Sequence, residues 1–215
     1  MDFHVWVMRG RARPESVVAL RSTGVAEKKL GGRAGVEDTI TLAVRWRNRK
    51  QGEGVGGGEG APGSFEGGTE GHATYTASWV APKADVHSQQ RWFFLGAGGE
   101  VSVDQAHRGY TATTHEAGMQ SVNPLFWRNT PTDGKFAAQH CYGYKSFENF
   151  VRAAAALNAG EAESPQSFDV ELATIGTTVA TTAILEAGRR SLDRGGAEVA
   201  LIYSDEFSAV PNNLR

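Results

Sequence analysis

The sequence predicts an α+β fold: an open-faced, largely antiparallel or mixed β-sheet with helices packed on one face. Three observations predict it. Strand-like runs occupy the chain from Ser16 to Thr114, after one short opening helix. The long helical patterns come after residue 140. Strands first and helices last is an α+β order, since an α/β chain would alternate them. Finally, several strands alternate apolar and polar residues with period two, which leaves one face to pack and one free.

The opening residues Phe3, Val5, Trp6 and Met8 read as a helix ending at Gly10, with no N-cap before it, like the tail of a longer helix. Ser16 to Ala26 is rich in β-branched residues and predicts a strand. Ile40, Leu42, Val44 and Trp46 alternate with Thr39, Thr41, Ala43 and Arg45. Tyr75, Ala77 and Trp79 alternate with Thr74, Thr76 and Ser78. Arg91–Leu95 and Glu100–Gln105 flank the turn Gly96-Ala97-Gly98-Gly99 and predict a hairpin. Tyr110–Thr114 is one more short strand. Phe147, Phe150, Val151, Ala154 and Leu157 recur at helical spacing, with Ser146 as N-cap and Gly160 as stop. Asp169–Leu192 reads as a long helix with Leu172, Ile175, Val179 and Ala183 as its buried stripe. Gly176, Ala180 and Ala187 would let it lie close to another element, and Gly195-Gly196 ends it. Ala197–Ile202 is a last strand.

Two segments fall outside this core. Residues 51–71 hold ten glycines and predict a flexible surface loop joining two strands that can pair as a hairpin. The tail from 203 to 215 lacks pattern and is expected to fray. The domain therefore spans residues 1–202.

Composition narrows the function classes. At 40% hydrophobic and 21% charged residues, the chain is a globular protein rather than a disordered one. A net charge of -2 argues against a general nucleic-acid binder, and the Arg9, Arg11, Arg13 cluster reads as a solvated helix end. With one cysteine, Cys141, no intrachain disulfide forms. The apolar runs are too short to span a membrane, and the opening residues lack the features of a signal peptide. A cytoplasmic location is expected.

Several motifs carry less than they suggest. Gly52-Glu53-Gly54-Val55-Gly56-Gly57 matches a dinucleotide fingerprint in letters. The next residues, Gly58-Glu59-Gly60-Ala61-Pro62-Gly63, cannot open the helix whose amides would face a pyrophosphate. The six histidines have no zinc spacing, so no metal is expected. Cys141 has no evident base, and there is no nucleophile elbow. The chemistry-bearing density lies elsewhere. Lys83, His87 and Gln89 sit between two strands, and Gln105, His107, Arg108 and Tyr110 come after the hairpin. Tyr144 adds an aromatic hydroxyl. Donors and acceptors grouped with aromatics suit a polyol, whose hydroxyls need directional partners; the same residues also suit a hydrogen-bonded sheet rim.

Taken together, these segments resemble the C-terminal domain of the Gfo/Idh/MocA oxidoreductases. The resemblance is carried by Trp92–Asp104, a hairpin ending in Asp, by the helix Phe147–Gly160 ending in Leu-Asn-Ala-Gly, and by Thr181–Asp193. It implies an open-faced sheet domain that partners a Rossmann domain. That domain would sit in cis or in trans, in an enzyme moving hydride between NAD(P) and sugars, polyols or related compounds. It implies substrate contacts from the polar cluster just named, and a homodimer through the sheet face. The opening helix resembles the family's junction helix, which makes Asp2 and His4 the acid–base candidates. The Rossmann half and the Glu-Lys-Pro segment with the family's catalytic lysine are missing. Glu27-Lys28-Lys29 lacks the proline and comes after the wrong strand. No cofactor is therefore expected to bind this chain alone, and hydride transfer is not expected of it. Two other readings stand beside this one: a non-catalytic dimerisation module, and a carbohydrate-binding domain.

Overall fold

The computed structural model describes residues 1–29, 31, 36–50, 63–80, 90–104, 109–122 and 142–215. They fall into two compact units, Met1–Ala81 with Val151–Arg215, and Pro82–Phe150.

In the first unit, α1 (Asp2–Met8) leads into β1 (Ala12–Thr23), α2 (Val25–Lys29), β2 (Glu37–Asn48) and β3 (Glu70–Ser78). After the second unit come α4 (Ile175–Asp193), β8 (Val199–Ile202) and β9 (Asn213–Leu214). The strands form one sheet in the order β3-β2-β1-β8-β9, with every pairing antiparallel. The hairpin expected across the glycine-rich segment is present, with Leu42 opposite Tyr75 and Val44 opposite Ala73. The alternation read in β2 also holds: Leu42, Val44 and Trp46 are buried, whereas Ala43 and Arg45 are exposed.

One sheet face is packed. Val17, Ala19, Leu42, Val44, Trp46, Val199 and Leu201 meet Val5 of α1 and Ile184 and Ala187 of α4. The buried side of α4 is Ile184, Ala187, Gly188 and Ser191; Ala187 was expected at a close approach, and Ala180 and Ala183 pack partly against the core, whereas Ile175 of the expected stripe does not. Ile175 is 85% exposed, and the helix starts there, six residues later than the pattern suggests. A 3-10 turn, Pro165–Phe168, precedes the expected start at Asp169.

Contact distance explains the shift. A Cβ on Gly188 would lie 2.6 Å from Leu42 Cδ2, so the helix rides close to the sheet on small residues. Ser191 is fully buried because its Oγ accepts the Ala19 N–H at 2.9 Å. The β1–β8 pairing covers Ser16 and Val17, so Ala19 lies beyond it and turns to the helix. Ser191→Ala strands that N–H and should cost about 1–3 kcal/mol in urea unfolding. A loss within error would mean that water replaces the serine.

Other boundaries moved. β1 begins at Ala12, and Val25 and Ala26 belong to α2, where the buried Asp38 carboxylate accepts both their N–H groups. Arg11 and Arg13 therefore do not crown a helix end. Of residues 51–71, positions 51–62 lie outside the described residues, but Phe65 is fully buried and Gly71 is in β3. The expected frayed tail is tied down. Phe65 N–H bonds Glu206 O, Arg13 Nη1 bonds Asp205 O and Ser208 O, and β9 pairs with β8.

The second unit holds an antiparallel meander of β4 (Arg91–Gly96), β5 (Gly99–Asp104), β6 (Gly109–Thr114) and β7 (Gly118–Val122). Its first hairpin turns where expected, with Gly96 opposite Gly99. The helix α3 (Tyr142–Asn158) starts before Ser146, which is therefore not its cap. It stops at Gly160 (φ +73°), whose N–H bonds Leu157 O while Glu161 N–H bonds Ala156 O. Phe147, Phe150 and Val151 are 75%, 69% and 62% exposed, so the apolar stripe of α3 is not a core stripe here.

Candidate functional site

The first unit carries two polar clusters. One lies where β1, the Ser64–Gly68 turn and the chain after β8 meet, around an open cavity of about 560 Å³. Its walls include Arg13, Glu15, Arg47, Phe65, Tyr203 and Glu206. Strand pairing places the arginines, with Arg13 opposite Arg47 and Arg49 N–H bonded to Arg11 O. Arg47 makes a two-nitrogen contact with one Glu15 oxygen at 2.9 and 3.1 Å and a second ion pair with Glu70 at 2.8 Å. The Glu15 bond first, with Glu70 adding, raises its pKa.

Arg13 and Arg49 are held differently. Their guanidinium carbons stand 4.7 and 4.2 Å from the Phe65 ring centre, and Arg13 is also 4.1 Å from the Tyr203 ring. Such contacts are worth about 0.5–2 kcal/mol each. Both Nε atoms are buried without a hydrogen bond, while the terminal nitrogens donate to backbone carbonyls: Arg13 to Asp205 and Ser208, Arg49 to Gly63 and Phe207. Burial, and then the charge of Arg13, push the Arg49 pKa down. Burial pushes the Tyr203 hydroxyl up, and it donates to Pro14 O. The arrangement can bind and brace. Among the described residues, no group of three or more His, Cys, Asp or Glu could hold a metal.

The second cluster is at α1. His4 is 8% exposed, and its Nδ1 lies 2.6 Å from the Tyr75 hydroxyl. Its ring centre is 5.0 Å from Trp46 and 5.6 Å from Tyr75. Burial lowers the His4 pKa and raises that of Tyr75. The Trp46 indole N–H is buried with no well-aligned bond, though it stands near enough to the Tyr75 hydroxyl to offset part of that rise. Asp2, the other acid–base candidate, accepts the Thr181 hydroxyl of α4 at 3.3 Å. The structure thus brings His4 together with an aromatic hydroxyl and places Asp2 on the helix–helix contact.

The second unit holds the expected substrate residues. Tyr110 is 40% exposed and lies opposite Val103, which lies opposite Trp92. Ladder partners share a face. Tyr110 therefore joins Trp92 and Phe94, whose rings stack at 5.7 Å. Arg91 pairs with Asp104 at 3.2 Å. Lys83, His87, Gln89, Gln105, His107 and Arg108 lie outside the described residues, as does the Tyr144 side chain. Sequence reasoning did not single out Arg13, Arg49, Phe65 and Tyr203 as one cluster. The signal for it was Arg47 and Arg49 at period two beyond the apolar positions of β2, with one phenylalanine inside a glycine-rich tract.

No protein-family model matches the chain, and no curated protein matches it. The crystal structure of an oxidoreductase from Sinorhizobium meliloti has the same fold over 87% of this chain, with TM-score 0.51 and 19% identity. The match covers 47% of that protein, so this chain spans about half its length. Among the described residues, no helix is long and apolar enough to cross a membrane.

Proposed function

We propose that this chain is the substrate-binding and oligomerisation part of an NAD(P)-dependent oxidoreductase acting on sugars, polyols or related compounds. The observation that carries the reading is an open antiparallel sheet, covered on one face by α1 and α4, in a fold shared with half of an oxidoreductase. On this reading the cofactor belongs to a Rossmann module in cis or in trans, in the cytoplasm. Tyr110 contributes beside Trp92 and Phe94, and Lys83, His87, Gln89, Gln105, His107, Arg108 and Tyr144 complete the substrate contacts. Positioning of this kind is worth large rate factors when the geometry is held. Of the two acid–base candidates, His4 has its ring Nδ1 held 2.6 Å from the Tyr75 hydroxyl.

The test is a chimera of this chain with a NAD(P)-binding Rossmann module that carries its own catalytic lysine. It should reduce NAD(P) with at least one member of a panel of aldoses and polyols, while the chain alone binds neither nucleotide. Silence of a correctly folded chimera across the panel ends this reading.

A second reading is a non-catalytic dimerisation module. Phe93, Leu95 and Met119 are 61%, 71% and 75% exposed on one face of the meander, and among the residues of that unit whose side chains are described none is buried. A sheet of this kind needs a covered apolar face to be stable. Light scattering that shows a monomer at high concentration would remove this reading.

A further inference from the structure

We propose that the His4–Tyr75 hydrogen bond over Trp46 is a proton-sensitive latch that holds α1 on the sheet, and that protonation of His4 releases the helix. The latch rests on the geometry of the first unit.

Side chains hold α1 on the sheet: His4 and Val5 are its buried residues, Met1 and Met8 pack partly against the core, and Asp2 adds its bond to Thr181. His4 supplies both a ring packed on Trp46 and Tyr75 and a bond at 2.6 Å.

Charge at His4 meets unfavourable surroundings. Tyr75, from β3, stays neutral because burial raises its pKa. Trp46, from β2, carries no charge. α4 presents the Thr181 hydroxyl, already given to Asp2. Burial keeps His4 neutral. A cation over the Trp46 ring gains something back, but the net direction at His4 is downward. A histidine held below its ordinary pKa of about 6.5 makes the folded form bind fewer protons than the free one. The stability it contributes is therefore present above that value and is lost as pH falls below it toward the folded value.

Amide hydrogen exchange of the intact chain tests the latch at about pH 7.5 and about pH 5, corrected for intrinsic rates, with α4 as internal reference. Protection of residues 5–8 relative to α4 should fall about fivefold or more on acidification, because a charged ring is disfavoured in this buried site. His4→Gln, which never charges, should show no such fall. Tyr75→Phe keeps the ring, and should loosen α1 at the higher pH and flatten its response. It serves as the readout if the glutamine variant does not fold. Unchanged protection in the wild type, or an acid loss that survives in His4→Gln, overturns the proposal.

Discussion

Phe65→Ala is expected to lower the stability of the first unit by about 3–5 kcal/mol, the range for a fully buried phenylalanine. Three consequences combine. The ring leaves a cavity. Arg13 and Arg49 lose the surface between their guanidiniums and carbonyl partners. Their like charges then face each other with less to offset them, and burial already weighs on Arg49. Phe65→Leu keeps most of the apolar volume and should cost less than the alanine variant, its loss coming mainly from the ring contacts with Arg13 and Arg49. Hydrogen exchange should rise at 205–208, where Arg13 holds the backbone. A cost under about 1 kcal/mol for the alanine variant would show that the turn is not part of the core.

Ile184→Ala should cost about 2–5 kcal/mol, and Ile184→Val about 0.5–1.5. Ile184 is fully buried against the sheet core. The informative comparison is with neighbours on the same helix. Leu185 is 54% exposed and Ile175 is 85% exposed, so alanine at either should change stability by about 0.5 kcal/mol or less. Urea unfolding of the three variants decides which face of α4 is buried. If Ile175→Ala proves as costly as Ile184→Ala, α4 packs with the stripe that its hydropathy suggests.

The α4 case shows why part of the fold was legible in the residues and part was not. A strand with one buried face repeats every two residues, and β2 displays this without ambiguity from Ile40 to Trp46. The glycine turns and stops at Gly99, Gly160 and Gly195 were also legible, because each adopts a positive φ that other residues resist. The buried face of α4 was not. Ala187 was read as a close-approach position, but Ile184, Gly188 and Ser191 complete the contact surface for size, close packing and one hydroxyl, whereas hydropathy favours Val179 and Ile175. The same holds for the arginine cluster. Arg13, Arg49 and Phe65 are far apart along the chain and meet through strand register.

The residues alone settle the class of fold, its strand-first order, the two hairpins and the points where helices end. All of these come from local backbone preference and from periodicity, which act within a few residues. Tertiary packing settles which helix face is buried, that the last residues are clamped, and that His4 is a buried partner of Tyr75 on β3. Those outcomes depend on how closely two elements approach and on which polar group a strand end leaves unpaired. Both are set by residues distant in the chain, and no local pattern records them.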